Sequence, residues 1–114
     1  MDIEKWLEDF ERTWKKKNVE SVLELFTDDV DYYETPFEKL DNKEDLKDEW
    51  RSVKDQQELE LETEIFSRED GKFTVKWNLR YTKNGEQNIL KGIYLIKLNS
   101  DNKCYEFWQY ASLK

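Results

Sequence analysis

Histidine is absent from this 114-residue sequence, and cysteine and proline occur once each. The lone cysteine, Cys104, excludes a disulfide within the chain and predicts a reducing compartment, the cytoplasm. No apolar run approaches the roughly 20 residues that cross a bilayer, and residues 1–5 begin an acidic amphipathic helix rather than a signal peptide. The sequence therefore predicts a cytoplasmic protein with no membrane partner.

Positive charge is also scarce, because 19 Lys and Arg residues face 27 Asp and Glu residues and leave a formal net charge of −8. Nucleic-acid binding normally needs a basic face that displaces counterions, so we expect no nucleic-acid partner. Only 37% of the residues are hydrophobic, but 15% are aromatic, and aromatic side chains bury enough area to build a core from few residues. The composition predicts a single folded domain over residues 1–114.

Apolar residues recur with helical spacing in three segments of the N-terminal half. The first stripe runs from Ile3 to Trp14. Asn18 has the character of an N-cap and predicts a second helix that extends to Phe26, and Asn42 similarly predicts a third. Between these two helices, residues 30–34 are β-branched and aromatic and predict a short strand, which the proline at position 36 ends.

From residue 57 onwards, apolar and polar residues alternate, as in antiparallel strands with one solvated face. Turns predicted at Asp70-Gly71, at Asn84-Gly85 and over residues 99–102 divide this part of the chain into four strands. We therefore predict an α+β fold in which three helices pack on an antiparallel sheet.

Five segments of the sequence match a known family in kind and in order. They are Leu25-Phe26-Thr27-Asp28-Asp29-Val30 with Pro36-Phe37, Lys43-Glu44-Asp45-Leu46 before Trp50, Asp70-Gly71 before Val75-Lys76-Trp77, Gly92-Ile93-Tyr94-Leu95-Ile96, and Asp101-Asn102-Lys103-Cys104. The sequence resembles the nuclear transport factor 2-like superfamily, particularly its SnoaL-like branch, over nearly its whole length. The resemblance implies a cone in which a strongly curved sheet wraps the first helix, a mostly apolar pocket at the open end, and a homodimer through the outer sheet face.

The resemblance does not specify one reaction, since the superfamily includes ketosteroid isomerases, epoxide hydrolases, dehydratases, cyclases and non-catalytic binding proteins. The isomerase base precedes the proline that follows the first strand, and here that position is Thr35, which cannot act as a base. The isomerase tyrosine of the first helix corresponds to Phe10. Dehydratases and cyclases rely on histidine, which is missing, and no arginine lies in a recognisable hydrolase motif. Whether the chain is an enzyme stays open, and any activity would be cofactor-independent acid–base chemistry of the isomerase, cyclase, hydrolase or dehydratase type.

Two glutamates remain as candidates for proton transfer. Glu34 adjoins the base position, although strand alternation turns it to the face opposite Thr35, and a surface carboxylate is the alternative interpretation. Glu106 lies between Tyr105 and Phe107, where aromatic neighbours would desolvate it and make it a general acid or base. For Glu106 the alternative is an edge-strand glutamate paired with a lysine.

Aromatic residues from several elements are candidates for the pocket, with a role in the core as the alternative for each. The predicted lining is Trp14, Tyr33, Thr35, Phe37, Trp50, Trp77, Tyr94 and Trp108. We expect a protein that binds a small apolar or aromatic molecule there, with no cofactor and no metal, because the aspartates of residues 28–31 lack the spacing of a calcium loop. The alternative is a non-catalytic homodimeric interaction module whose cone is filled by its own side chains.

Overall fold

The computed structural model describes residues 2–114 and contains three helices and one six-stranded sheet. The helices are α1 (Ile3–Lys15), α2 (Val19–Leu23) and α3 (Lys43–Trp50), and a 3-10 helix at Arg51–Asp55 extends α3. The strands are β1 (Phe26–Thr35), β2 (Glu38–Leu40), β3 (Gln57–Glu69), β4 (Lys72–Lys83), β5 (Glu86–Leu98) and β6 (Cys104–Leu113). Across residues 2–114, every helix is too short or too polar to cross a membrane.

The sheet has the strand order β2-β1-β6-β5-β4-β3, so β5 and β6 lie inside it and β2 and β3 form its edges. All pairs are antiparallel except β1 and β6, which run parallel with Tyr32 opposite Phe107. The predicted α+β architecture, with three helices packed on a curved sheet, is confirmed. The sequence did not indicate the parallel pair or β2, which has only three residues.

Asparagine begins each of the two later helices, as the sequence predicts. The side chain of Asn18 accepts a hydrogen bond from the backbone N–H of Ser21 at 3.2 Å, and Asn42 accepts one from Asp45 at 3.0 Å. Such caps satisfy N–H groups that have no partner within the helix. The two caps fix where α2 and α3 start.

The predicted end of the second helix is wrong, because α2 ends at Leu23 and Phe26 is the first residue of β1. The carbonyl of Leu25 accepts hydrogen bonds from the indole of Trp6 at 3.0 Å and from the backbone N–H of Cys104 at 2.8 Å. These two long-range partners draw the chain out of the helix and into the sheet at this point.

The core lies between α1 and the inner face of the sheet, and Phe10 is at its centre. Its ring centroid lies 5.0–6.5 Å from those of Trp6, Trp14, Phe26, Trp50, Tyr94 and Phe107. Contacts at this separation add edge-to-face and stacking interactions to the area buried. The helix stripe that the sequence predicts is therefore buried against residues far along the chain.

Gly92 of β5 lies opposite Trp77 of β4. A Cβ atom at this position would meet the carbonyl oxygen of Tyr110 and would lie 2.7 Å from the indole ring of Trp77. A glycine within a strand often marks such a close approach. The absence of a side chain at Gly92 therefore makes room for the Trp77 indole on the sheet.

Candidate functional site

A cavity of about 140 Å³ lies between the inner face of the sheet, the C-terminal end of α1 and the segment that joins α3 to β3. Its lining residues are Trp14, Tyr32, Glu34, Glu49, Trp50, Ser52, Val53, Gln56, Trp77, Leu79, Tyr81, Leu90 and Gln109. We call it the tryptophan cavity after Trp14, Trp50 and Trp77, which come from three different elements. Of its thirteen lining residues, five are aromatic, three are aliphatic and five are polar or charged.

Packing and hydrogen bonding hold the three indoles in place. The rings of Trp14 and Trp50 meet edge to face, with centroids 5.0 Å apart. The indole N–H of Trp14 donates to the side-chain oxygen of Gln56 at 2.9 Å. Trp77 stacks on Tyr94, with centroids 5.1 Å apart. The cavity wall is therefore formed before any ligand binds.

Glu34 places a carboxyl group beside the aromatic residues of this wall. Burial raises the pKa of Glu34 to about 7, and the negative charge of Glu49 adds to the increase, while Tyr32 and Gln109 oppose it. The side-chain amide of Gln109 donates to a carboxylate oxygen of Glu34 at 3.3 Å. A carboxyl group with a pKa near neutrality exists in both protonation states, as a general acid or base requires.

Two tyrosines lie close enough to Glu34 for its charge to affect them. Burial raises the pKa of Tyr32 and of Tyr94, and the charge of Glu34 raises both further. Both side chains are therefore neutral phenols at physiological pH. Among residues 2–114, the buried hydroxyl of Tyr94 and the buried indole N–H of Trp77 have no hydrogen-bond partner, and the indole N–H of Trp50 lies near the hydroxyl of Tyr32.

The structure brings three of the eight predicted lining residues together. Trp14, Trp50 and Trp77 line the tryptophan cavity with Glu34, and Tyr94 lies directly behind Trp77. Glu34 turns inward because β1 alternates, which places Val30 and Tyr32 on the same face. The predicted lining included its neighbours Tyr33 and Thr35, and Glu34 itself was a candidate for proton transfer.

Four predicted lining residues lie elsewhere, which corrects that assignment. Tyr33 and Trp108 are directly opposite each other on β1 and β6 and stack on the outer face, with ring centroids 3.5 Å apart. Thr35 follows at the end of β1 and accepts a hydrogen bond from the backbone N–H of Phe37 at 3.2 Å. Phe37 is in the turn and is 97% exposed. Tyr33 faces outward because side chains alternate along β1. Phe37 is exposed because it lies in the turn after that strand.

Glu106 also lies away from the cavity. It is on the outer face, where one carboxylate oxygen is 3.3 Å from Nζ of Lys97 and the other accepts from the indole N–H of Trp108 at 3.0 Å. The strand that carries it is inside the sheet rather than at an edge. The alternative interpretation of Glu106 was an edge-strand glutamate paired with a lysine. The pair with Lys97 matches it, but β6 is not an edge strand.

Sequence reasoning missed several polar lining residues, of which Glu49 and Gln109 are the most important. Glu49 lies three residues after Leu46 and directly before Trp50, so the apolar stripe of α3 includes it. Gln109 lies two residues after the buried Phe107 on β6. The helical and strand periodicities of these segments place both residues on the inward face, although neither side chain is apolar.

The acidic residues offer no metal site. Among residues 2–114, no three His, Cys, Asp or Glu side chains cluster in a way that could hold a metal ion. Asp28 lies 3.1 Å from Nζ of Lys43, and Asp31 lies 3.1 Å from Nζ of Lys39. These aspartates are therefore used in surface ion pairs.

Solved structures share this fold at low sequence identity. The epoxide hydrolase/cyclase-like enzyme SalBIII, described in pyran ring formation in the polyether salinomycin, has a TM-score of 0.83 at 14% identity, covering 96% of this chain and 89% of that one. The Δ5-3-ketosteroid isomerase from Mycobacterium sp. has a TM-score of 0.81 at 14% identity, covering 96% and 95%. RV0760c from Mycobacterium tuberculosis, in complex with estradiol-17β-hemisuccinate, has a TM-score of 0.79 at 16% identity, covering 92% and 89%.

The sequence itself matches a family model. No curated protein matches it, but the model described as the SnoaL-like domain matches residues 7–107. That span includes all three helices except the first turn of α1, and the sheet as far as the middle of β6. The chain therefore belongs to the SnoaL-like domain family and has the nuclear transport factor 2-like cone fold, as its motifs predicted.

Proposed function

We propose that the protein binds a small, largely apolar molecule in the tryptophan cavity. The observation that carries this proposal is the group of three indoles, Trp14, Trp50 and Trp77, that shares the cavity wall with the carboxyl group of Glu34. Ligand sites usually combine apolar walls with a few placed polar groups in this way. The buried thiol of Cys104 supports a reducing location, and we place the protein in the cytoplasm.

The volume of the cavity limits the ligand to about one ring. At about 140 Å³, it is close to an engineered cavity of about 150 Å³ that binds benzene. Drug-sized ligands occupy sites of roughly 300–1,000 Å³. RV0760c is seen with a steroid derivative, but we propose a smaller ligand for this chain.

Glu34 extends the proposal to proton transfer. With a pKa of about 7, its carboxylate can take a proton from a carbon beside a carbonyl group and return it to another position. Neutral donors stabilise a developing oxyanion, and the lining offers such donors in the hydroxyls of Ser52 and Tyr81 and the amide of Gln56. This role does not need the carboxylate that the isomerases carry at the position of Thr35.

Cyclohexanone in D₂O is a probe that tests both parts of the proposal. Three of the five tryptophans line the cavity, so binding is expected to change the intrinsic fluorescence. At 100 times its dissociation constant, the probe is expected to stabilise the fold by about 2.7 kcal/mol. Exchange of its α-hydrogens for deuterium, followed by NMR, reports proton transfer, and we expect Glu34→Gln to slow it by about 10²-fold or more.

A cavity-filling variant provides the control for binding. Leu90→Trp places a large ring in the lining and is expected to abolish the fluorescence and stability changes. Phe66→Trp adds the same ring on β3, where the native side chain is 71% exposed, and is expected to leave both unchanged. Equal responses from the two variants would place the binding elsewhere and contradict the proposal.

The second candidate function is homodimerisation through the outer face of the sheet. What supports it is a row of exposed apolar side chains on adjacent strands, a kind of patch that usually marks an interaction surface. Ile93 lies opposite Tyr110 across β5 and β6, and Leu95 lies opposite Trp108. Ile93 and Tyr110 are 41% and 40% exposed.

Association is tested by sedimentation velocity over a hundredfold range of concentration. The wild-type protein is expected to sediment at about twice the 14.0 kDa of one chain. Tyr110→Asp puts a charge at the centre of the exposed patch and is expected to give the monomer, because an unpaired buried charge is costly. Thr63→Asp on the edge strand β3 is the control. A wild-type protein that stays monomeric throughout would rule out this candidate.

A further inference from the structure

The charged groups that line the tryptophan cavity are all acidic. Glu34 lies in the wall and Glu49 at the exposed mouth, and the described lining contains no lysine or arginine. Histidine does not occur in the chain. The cavity therefore has a negative charge of its own and no built-in positive charge to balance it.

The nearby basic residues do not reach these two carboxylates. Three of those on α3 and the 3-10 helix after it pair elsewhere: Lys43 with Asp28 at 3.1 Å, Lys47 with Glu20 at 3.1 Å, and Arg51 with Asp48 at 2.9 Å. The fourth, Lys54, is exposed and is not part of the cavity lining. Across residues 2–114, neither Glu34 nor Glu49 forms an ion pair. A carboxylate in an apolar site is normally paired or protonated; Glu34 has neutral hydrogen-bond partners in Gln109 and Tyr32, and a cationic partner is the one it lacks.

The rest of the lining suits a positively charged group with an apolar surface. Trp14, Trp50, Trp77, Tyr32 and Tyr81 contribute aromatic rings from four elements. The faces of such rings attract cations, and cages of aromatic side chains recognise quaternary ammonium groups in other proteins. Methyl groups around the charge would meet the apolar wall, so the same ligand uses both features of the cavity.

We propose that the ligand of the tryptophan cavity is a small organic cation, an alkylammonium of about the size of choline. This inference rests on the proposed function, because it specifies the chemical class of the molecule that the cavity binds. The cation head lies among the tryptophans and pairs with Glu34, and Glu49 attracts it at the mouth. A hydroxyl oxygen on the ligand can accept from a polar side chain of the lining, such as the amide of Gln56.

Binding is then coupled to the ionisation of Glu34. The groups that face this carboxyl are Tyr32 on its own strand, Glu49 from α3, Tyr94 from β5 and Glu38 from β2, and none of them carries a positive charge. A cation favours the ionised form, so binding releases a proton when Glu34 begins protonated. We expect affinity to increase by about tenfold between pH 5.5 and pH 8, because the wild-type pKa lies between these values.

Choline and 3,3-dimethyl-1-butanol form the matched pair of probes for the full chain. The two have the same shape and hydroxyl group, and they differ only in the charge of the central atom. Titration followed by tryptophan fluorescence and calorimetry is expected to give at least tenfold tighter binding of choline. Equal affinity for the neutral alcohol would overturn the inference and leave the proposed function standing.

Three variants locate the interaction. Glu34→Gln is expected to weaken choline binding at pH 8 by about tenfold and to remove its pH dependence. Glu49→Gln is expected to weaken it by less, because Glu49 is exposed. Glu44→Gln removes the same charge from the exposed side of α3 and is expected to have no effect. An equal loss in all three variants would reduce the effect to net charge and overturn the inference.

Failure of choline to bind also overturns the inference, and cyclohexanone then decides about the proposed function. If the ketone binds in a manner that Leu90→Trp abolishes, the cavity is a site for neutral molecules. If neither probe binds, both proposals fall. We expect each glutamine variant to fold, because glutamine has nearly the shape of glutamate. Thermal melting of each variant checks this.

Discussion

Phe10→Ala is expected to lower the free energy of unfolding by about 3–5 kcal/mol, the range found when a buried phenylalanine becomes alanine. Phe10 is 1% exposed, and its ring contacts six other aromatic rings in the core. Rigid rings cannot collapse into the space that is left, so both the transfer energy and the cavity term are lost. Urea denaturation followed by circular dichroism measures the change.

Phe66→Ala is the matched control, because Phe66 is 71% exposed on β3. Its effect is expected to stay within about 0.5 kcal/mol. Phe10→Leu should lie between the two, and it remains measurable if the alanine variant does not fold. A loss below 1 kcal/mol for Phe10→Ala would mean that the aromatic cluster around it is loosely packed.

Glu34→Gln is expected to stabilise the protein at pH 8 and to leave its stability almost unchanged at pH 4.5. The pKa of Glu34 is about 7 in the folded protein against an ordinary 4.5. The folded state therefore holds its proton to higher pH, and stability that is present below pH 4.5 is lost as the pH rises through 7. The full pKa difference corresponds to about 3 kcal/mol, and partial exposure of the carboxyl lowers the expected gain to between about 1 and 3 kcal/mol.

Chemical denaturation of both proteins between pH 4.5 and pH 8.5 tests this expectation, and the difference between the two curves is the quantity to follow. It should grow with pH and level off above about pH 8. Glu106→Gln is the control, since Glu106 is paired with Lys97 on the outer face, and its difference from wild type should show no rise centred on pH 7. Parallel curves for Glu34→Gln and wild type would contradict the burial of this carboxyl.

The helical stripes and strand alternation were sufficient to predict most of the helices and strands, because they are local patterns, and the strongly curved sheet was implied by the family resemblance. The caps at Asn18 and Asn42 depend only on residues up to three positions away. The positive φ angles of Asn84 and Gly85 likewise match the turn that their sequence predicts. The start of β1 at Phe26 was not predictable in this way, because its partner Cys104 is distant in the sequence.

The site was harder to predict because it depends on which face of β1 points inward. The register between β1 and β6 shifts between Phe26 and Asp31, so alternation along β1 could not be phased from its neighbours. A shift by one residue exchanges Tyr33 and Thr35 for Tyr32 and Glu34. Trp14, Trp50 and Trp77 face the cavity, and the side of each element that they occupy follows from that element's own apolar pattern.

The parallel pairing of β1 with β6 has a consequence for how the protein is made. Trp6 and Phe10 on α1 are covered in part by Phe107 of β6, and the first strand gains its inner neighbour only when β6 is present. On the ribosome, the early helices therefore stay uncovered until nearly the whole chain has been synthesised. Contacts between distant residues also slow folding. The nascent chain is expected to expose its aromatic stripe throughout translation, which makes it a substrate for chaperones that bind emerging apolar segments.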